Sequence, residues 1–240
     1  MSMAASGNAS ALIAALMAAV AYGAATVLQS VGVRRFAAAP SRPWSGRLLA
    51  GRLYAVGLGL DAVGFLASLV ALRALPLFVV ESAIASSVGV TALLSAIVLK
   101  LRLSRREILA LAAIGVGLIS LAVSASEGPA VRPAMTGPLL LLATVPVGAM
   151  IVLGWSRPRA SRTGVGLLSG AAGLAFGAVG VAARVVDVPQ HWWQAAGSLL
   201  VVVLVMHAAL ALTAYAIALE RGRVTTVAAI TFAVETVVPA

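Results

Sequence analysis

The sequence predicts an all-α protein, a polytopic transmembrane helical bundle built as an inverted-topology repeat of five-helix units with the second repeat truncated. Three observations lead to this fold class. Hydrophobic residues make up 62% of the 240 residues and charged residues only 10%, too few charges to cover a water-soluble surface. Eight apolar stretches alternate with short polar segments, and most are long enough to cross a bilayer. The basic residues fall almost entirely on one side of the resulting topology.

The first five stretches make up the first expected domain, residues 1–155. They cover residues 9–33, 51–72, 76–99, 107–125 and 136–154. The first stretch is not a secretory signal, because no Lys or Arg precedes Arg34 and the apolar run is too long. The expected connections are short and polar, and too short for a domain outside the membrane.

The last three stretches make up the second expected domain, residues 156–240, an incomplete repeat. They cover residues 164–186, 195–219 and 222–240. The eighth ends on Val237-Val238-Pro239-Ala240, without the polar or basic residues that anchor a terminal span at the interface. We therefore expect that the complete protein has further spans.

The distribution of basic residues predicts the orientation. The loops after spans one, three, five and seven carry 14 of the 17 Lys and Arg residues, against three on the other side. By the positive-inside rule the basic side is cytoplasmic and the N-terminus lies outside. The charge of +10 thus sets topology and predicts no nucleic-acid partner. One lysine among 17 basic residues, with abundant alanine, is typical of a GC-rich bacterial genome. Together with the apolar spans, this predicts a multi-pass protein of the bacterial inner membrane.

A weak internal repeat accompanies this topology. A shift of 147 residues places Ala71-Leu72 on Ala218-Leu219 and lays spans two and three on spans seven and eight. Five-span repeats put equivalent helices in opposite orientations, and the basic loops change sides accordingly. Inverted repeats are typical of secondary transporters, whose site lies near the bilayer midplane between the two halves.

Two segments resemble a known superfamily. The stretch from Leu72 to Val80, with Pro76 at the helix start, and the turn from Ser104 to Glu107 are similar to the third and fourth helices of the drug/metabolite transporter (DMT) superfamily, including its EamA-type members. The helix that follows is rich in alanine and glycine, as in that family. The stretch Lys100-Leu101-Arg102-Leu103-Ser104 departs from the family, because it lacks the acidic residue usual in this turn.

Within the superfamily, the second span most resembles the NIPA-type magnesium transporter-like proteins. Asp61 stands four residues before Phe65, as the acidic residue does in that branch, and a basic first loop precedes it. The resemblance implies a transporter that works by alternating access without a cofactor. The partners it implies are the lipid bilayer, a cation or small-molecule substrate and, as an open alternative, a second copy in a homodimer.

Four titratable residues lie inside the spans, where an ionised group costs about 2.5–3.5 kcal/mol. They are Asp61, Glu81, His207 and Glu235. Asp61 shares a helical face with Gly57, Gly64 and Ser68, so this face is expected to look into the bundle. His207 lies one residue from the repeat equivalent of Asp61, which predicts two titratable groups at similar depth.

Each candidate also has a structural interpretation. Asp61 can serve a buried hydrogen bond, His207 can be a neutral ring bonded to a neighbouring helix, and Glu81 can reach the interface. Gln29 belongs to a polar stripe with Tyr22 and Thr26, which helix packing explains as readily as ligand contact does. Magnesium takes oxygen ligands and keeps several waters, so Asp61 with Glu81 is the candidate metal pair.

Other classes of function fit less well. A rhomboid-like protease needs Gly-x-Ser-Gly, and Leu167 stands where that motif before Gly170 requires glycine. His191 and His207 are the only histidines and do not have zinc-ligand spacing, and the chain has no cysteine. A structural membrane protein is disfavoured by carboxylates deep in two spans. Within transporters, a divalent cation such as Mg²⁺ is expected first, and a proton-coupled exporter of amino acids or small metabolites is the alternative.

Overall fold

The computed structural model describes residues 2–41, 43–72, 75, 77–100, 104–124, 136–159, 161–185 and 198–237, and within these ranges all regular structure is helical. We number the helices in chain order. They are α1 (Ser2–Ala37), α2 (Trp44–Ala50), α3 (Arg52–Leu72), α4 (Leu77–Ala85), α5 (Ser87–Val98), α6 (Arg105–Ser124), α7 (Thr136–Ser156), α8 (Arg162–Val185), α9 (Leu199–Arg221) and α10 (Val224–Val237).

Five helices in the described part of the chain are long and apolar enough to cross a membrane. They cover Ala9–Ala37, Arg52–Ala71, Gly137–Ser156, Arg162–Ala182 and Leu199–Arg221. These helices correspond to the first, second, fifth, sixth and seventh predicted spans, so the prediction of transmembrane helices is confirmed to this extent. Shorter apolar helical segments lie within the third, fourth and eighth predicted spans. They cover Ser82–Val98, which includes the turn at Ser86, Glu107–Gly117 and Val224–Val237. The inverted repeat stays a prediction.

The third predicted span is divided in the structure. The sequence predicts one helix over residues 76–99, whereas α4 ends at Ala85 and α5 begins at Ser87. The amide of Ser86 lies 3.3 Å from the Ser82 carbonyl oxygen and 3.1 Å from that of Ala83, and the Ser86 hydroxyl donates to Ala83 O at 2.6 Å. The serine thus tightens the turn towards 3₁₀ geometry, an effect that hydropathy does not report.

The chain divides into two compact units. Unit 1 contains residues 1–127 and 223–229, and unit 2 contains residues 128–222 and 230–240. Helix α10 is shared, since its first turns belong to unit 1 and the remainder to unit 2. These units are defined by packing. The repeat boundary after residue 155 stays a prediction.

In unit 1, α1 packs along α3, α4 and α5. Ala15, Ala71 and Val80 form a buried apolar cluster at one end of this packing. Close approach depends on small residues: a Cβ atom on Gly23 would lie 2.7 Å from Val90 Cβ. Tight contact between small residues is how apolar helices associate in a bilayer, where no hydrophobic effect drives them together.

In unit 2, α8 packs against both α7 and α9. Leu140, Ala178, Ala182 and Val203 form the buried cluster that joins the three helices. Near the other end of α7, a Cβ atom on Gly154 would lie 2.8 Å from Leu168 Cγ. Both units therefore use the small-residue packing that the glycine and alanine content predicts.

Candidate functional site

The structure brings two of the predicted site residues together in unit 1. Gln29, in α1, is 1% exposed, and its Nε2 donates a hydrogen bond to Asp61 Oδ2 in α3. Asp61 is half-buried, with its neighbours along α3 turned outward. A carboxylate in one apolar span is thus held by an amide in another. The bond joins residues 32 positions apart, so it is a contact between helices and not within one.

Two glycines bring Gln29 and Asp61 within reach of each other. A Cβ atom on Gly57 would lie 2.6 Å from Gln29 Cγ and 2.9 Å from the Ala25 carbonyl oxygen. A Cβ atom on Gly64, on the other side of Asp61, would lie 3.3 Å from the Tyr22 ring. The space that these glycines leave is therefore filled by the polar stripe of α1. The sequence analysis placed the glycines and Asp61 on one face, and the structure supplies the donor that faces them.

Hydroxyl groups line the neighbouring helix interface. Thr91 in α5 donates to the Gly23 carbonyl oxygen at 3.4 Å, and Thr91 is buried. Ser30 and Ser95 are fully buried, and within the described part of the chain their hydroxyls have no hydrogen-bond partner. Ser68, predicted to share the face of Asp61, donates to the Phe65 carbonyl oxygen of its own helix at 2.7 Å. The polar character of unit 1 is thus distributed over α1, α3 and α5.

His207 in α9 belongs to unit 2 and is fully buried. Its Nδ1 lies 2.9 Å from the Val203 carbonyl oxygen of the preceding turn. Because a carbonyl oxygen only accepts, Nδ1 is the donor of this bond. Nε2 has no partner among the described residues. The histidine therefore bonds to its own helix and not, as the structural interpretation expected, to a neighbouring one.

Two further predicted residues, Glu81 and Glu235, lie in α4 and α10. The Glu81 side chain is outside the described part of the structure. Glu235 is half-buried in α10, in the segment that belongs to unit 2. No group of three or more His, Asp or Glu side chains suited to a metal ion occurs among the described residues. The metal pair Asp61 and Glu81 stays a prediction.

A second polar cluster, which the sequence analysis did not single out, surrounds Glu107 at the start of α6 in unit 1. Its Oε2 accepts from the Ser104 amide at 2.8 Å and hydroxyl at 2.9 Å, and pairs with Arg223 at 3.1 Å. Its Oε1 accepts from the Thr225 hydroxyl at 2.9 Å. Burial alone raises the pKa of Glu107, but the hydrogen bonds from Ser104 and Thr225 and the charge of Arg223 outweigh it, so the pKa lies below its ordinary value.

Part of this cluster has a sequence signal. The spacing Ser104-x-x-Glu107 is a helix capping box, in which the serine and the glutamate satisfy each other's backbone amides. The contacts of Glu107 with Arg223 and Thr225 have no such signal, because they join positions more than a hundred residues apart. The buried hydroxyls of Ser30, Ser95 and Ser169, which have no partner in the described part of the chain, have no sequence signal either, because their burial depends on which helices meet.

Comparison of the chain with protein-family models, with curated proteins and with solved structures finds no match.

Proposed function

We propose that the protein is a secondary transporter that moves a small solute or ion across the bacterial inner membrane by alternating access, with its N-terminus outside. Asp61 is the residue that binds the transported or coupled cation, and Gln29 is the side chain that positions it. Five helices suited to a membrane support the location. The resemblance of the second span to NIPA-type proteins supports Mg²⁺ as the first substrate to test.

The observation that carries the proposal is the Gln29–Asp61 hydrogen bond. A carboxylate within a span costs about 2.5–3.5 kcal/mol, and a hydrogen bond between helices returns only about 0.6–1.7 kcal/mol. Glutamine carries no charge, so the donor described for Asp61 orients the carboxylate without neutralising it. A carboxylate retained at a net cost, half-buried and with a neutral partner, is suited to bind a cation that comes and goes.

The chemistry of the pair fits both versions of the transporter. A Mg²⁺ ion takes carboxylate and amide oxygens and keeps several waters, so Asp61 and Gln29 Oε1 together provide a minimal oxygen site. For a proton, the amide can donate to the ionised carboxylate and, after rotation, accept from the protonated one. The second version describes the proton-coupled exporter of amino acids or small metabolites.

Flux into sealed proteoliposomes tests the proposal and separates the two versions. The purified chain is reconstituted with a Mg²⁺-sensitive dye inside in one set of vesicles and a pH-sensitive dye inside in another. A Mg²⁺ gradient that fills the first set at a rate dependent on protein identifies the cation version. Proton movement that depends on an added amino acid or metabolite mixture identifies the exporter.

The variant Asp61→Asn decides the role of the carboxylate. We expect flux to fall at least ~100-fold, about 2.7 kcal/mol, because Asn keeps the shape and the acceptor oxygen but loses the charge. We expect the thermal midpoint in detergent to stay within about 4 °C of wild type, equivalent to about 1 kcal/mol. Glu220→Gln, which alters an exposed ion pair with Arg159, is the matched control and should transport normally. Retained flux in Asp61→Asn, or lost flux with a large fall in midpoint, contradicts the proposal.

A further inference from the structure

The connection between the first two spans has an unusual balance of charge. Arg34, Arg35, Arg42, Arg47 and Arg52 lie in or beside it, and the first acidic residue of the chain is Asp61. Arg34, Arg35 and Arg52 have exposed side chains at the ends of α1 and α3. Unlike the ion-paired arginines elsewhere in the chain, this group has no carboxylate near it in sequence. The connection from Arg34 to Arg52 therefore carries five basic residues and no acidic one.

Aromatic side chains hold one of these arginines in place. The Phe36 and Trp44 rings meet edge to face with centroids 5.8 Å apart. The Arg47 guanidinium carbon lies 4.4 Å from the Phe36 centroid and 5.7 Å from that of Trp44. Arg47 Nε is buried and has no partner among the described residues, so the two terminal nitrogens are the ones that can donate in pairs to phosphate oxygens.

Helix α2 also presents apolar side chains outward. Trp44 is 64% exposed, Leu48 53% and Leu49 65%, and no residue of α2 is buried. At 100° per residue these three lie within an arc of about 140°. One candidate span ends at Ala37, shortly before α2, and the next begins at Arg52, directly after it. Helix α2 therefore stays at the membrane surface. At that surface the interfacial region of the bilayer covers the apolar arc. Tryptophan is enriched in this region of membrane proteins.

We propose that this first-loop surface, formed by Arg34, Arg35, Phe36, Trp44, Arg47, Leu48, Leu49 and Arg52, binds anionic phospholipid. The Arg47 edge donates to a headgroup phosphate, the other arginines supply attraction, and the apolar arc of α2 enters the interfacial region. A purely topological role of the arginines requires charge alone. It does not require a guanidinium stacked between two rings or an apolar arc beside it. This inference is independent of the transported substrate.

The loop after α7 provides an internal comparison. It carries Arg157, Arg159 and Arg162, which have the same sign of charge and fall on the same predicted side of the membrane. Arg159 is paired with Glu220 at 3.5 Å, and the described residues between Ser156 and Arg162 form no helix. The ring beside this loop, Trp155, stacks with Arg221 of α9 at 4.8 Å, and none of the three loop arginines is described as stacked on a ring. This loop is therefore the matched control.

The test uses Trp44 as its own reporter in the full chain. Trp155, Trp192 and Trp193 are changed to Phe, and the protein is reconstituted in equimolar phosphatidylcholine and phosphatidylglycerol. Bromine, which quenches tryptophan on contact, is placed on one lipid at a time. We expect brominated phosphatidylglycerol to quench Trp44 several-fold more than brominated phosphatidylcholine. Arg47→Gln should reduce this preference about fivefold, Arg47→Lys should reduce it less, and Arg157→Gln should leave it unchanged.

Several outcomes contradict the proposal. Equal quenching by the two lipids in the parent chain removes the anionic preference, and quenching by aqueous acrylamide alone shows that Trp44 faces water. An equal loss in Arg157→Gln reduces the effect to overall charge. Loss of the preference in millimolar inorganic phosphate assigns the surface to a free ion and not to lipid. If Arg47→Gln does not fold, Arg52→Gln replaces it, because Arg52 is exposed and outside the stack; an unchanged preference there overturns the proposal.

Discussion

Asp61 in unit 1 and His207 in unit 2 are accommodated in apolar helices in different ways. Asp61 of α3 bonds across helices to Gln29 of α1. The fully buried His207 bonds to the turn before it in its own helix, although the Thr231 hydroxyl of the same unit bonds across helices to the Ser169 carbonyl oxygen. The second ring nitrogen of His207 has no partner in the described part of the chain.

This difference separates two uses of a polar group in a membrane. A bond between helices changes when the helices move, so it can couple ion binding to a change of conformation. A bond within one helix does not depend on the position of neighbouring helices. It contributes mainly by giving the buried polar group a hydrogen-bond partner. Substitutions at the Gln29–Asp61 pair are therefore expected to alter transport, and substitutions at His207 are expected to alter stability alone.

The largest expected effect comes from the glycine opposite Gln29. In Gly57→Leu the new side chain meets Gln29 Cγ and the Ala25 backbone, so α1 and α3 must separate. We expect a loss of about 3 kcal/mol, or about 10 °C in the thermal midpoint, together with loss of flux. Gly59→Leu in the same helix is the control, because nothing lies within 4 Å of its Cβ position. Equal midpoints for the two variants would show that the α1–α3 contact does not hold unit 1 together.

The next effect concerns the donor to Asp61. Gln29→Leu should reduce flux about tenfold, as loss of a side chain that orients a ligand does, and should cost about 1 kcal/mol of stability. Ser30→Ala is the control, since the neighbouring hydroxyl is equally buried but has no partner among the described residues. In a chain that already carries Asp61→Asn, adding Gln29→Leu should not reduce flux further. Additive losses in that double variant would separate Gln29 from the carboxylate.

A smaller effect is expected at His207. His207→Leu removes a buried ring nitrogen that has no partner among the described residues, and it introduces an apolar side chain of similar size. The thermal midpoint should stay within about 3 °C of wild type, or rise, and flux should be retained. His207→Ala, which leaves a cavity, should lower stability by about 2 kcal/mol with the same retention of flux. Lost flux in the leucine variant would instead make His207 the counterpart of Asp61 that the inverted repeat predicts.

The smallest effect is a pH dependence that distinguishes the ion pairs of the two units. The pKa of Glu107 lies below its ordinary value of 4.5, so its contribution to stability is present above that pH and is lost as the pH falls below it. Glu107→Gln should lower the thermal midpoint by a few degrees near neutral pH, and the difference from wild type should shrink below about pH 4.5. Glu220→Gln should differ little at any pH, because its partner Arg159 is largely exposed.

The sequence alone predicts much of the fold. Apolar length identifies the five helices that are long enough to cross a membrane, because a bilayer requires about 20 such residues and internal backbone hydrogen bonds. It does not identify the break at Ser86, where a side-chain hydroxyl competes for a backbone carbonyl. Hydropathy averages over the four serines in residues 76–99 and so predicts one continuous helix. The helical content is a local property, whereas the break depends on a single hydrogen bond.

The candidate site is predictable only in part. Helical spacing placed Gly57 and Gly64 on the face of Asp61, and it grouped Gln29 with Tyr22 and Thr26. It did not show that these two faces meet, because the contact of α1 with α3 is a tertiary property. The structure adds that Gln29 and Tyr22 fill the positions that the missing Cβ atoms of Gly57 and Gly64 leave.

The Gln29–Asp61 bond also bears on how the chain enters the bilayer during synthesis. Gln29 precedes Asp61 by 32 residues, so the first span and its amide are already made when the second span leaves the ribosome. If the two spans insert as a hairpin, the carboxylate meets its donor at the moment of insertion and does not cross the lipid unaccompanied. An early pairing of this kind lowers the insertion barrier of the most polar residue in the second span. The same bond that positions Asp61 in the mature protein thus assists its biogenesis.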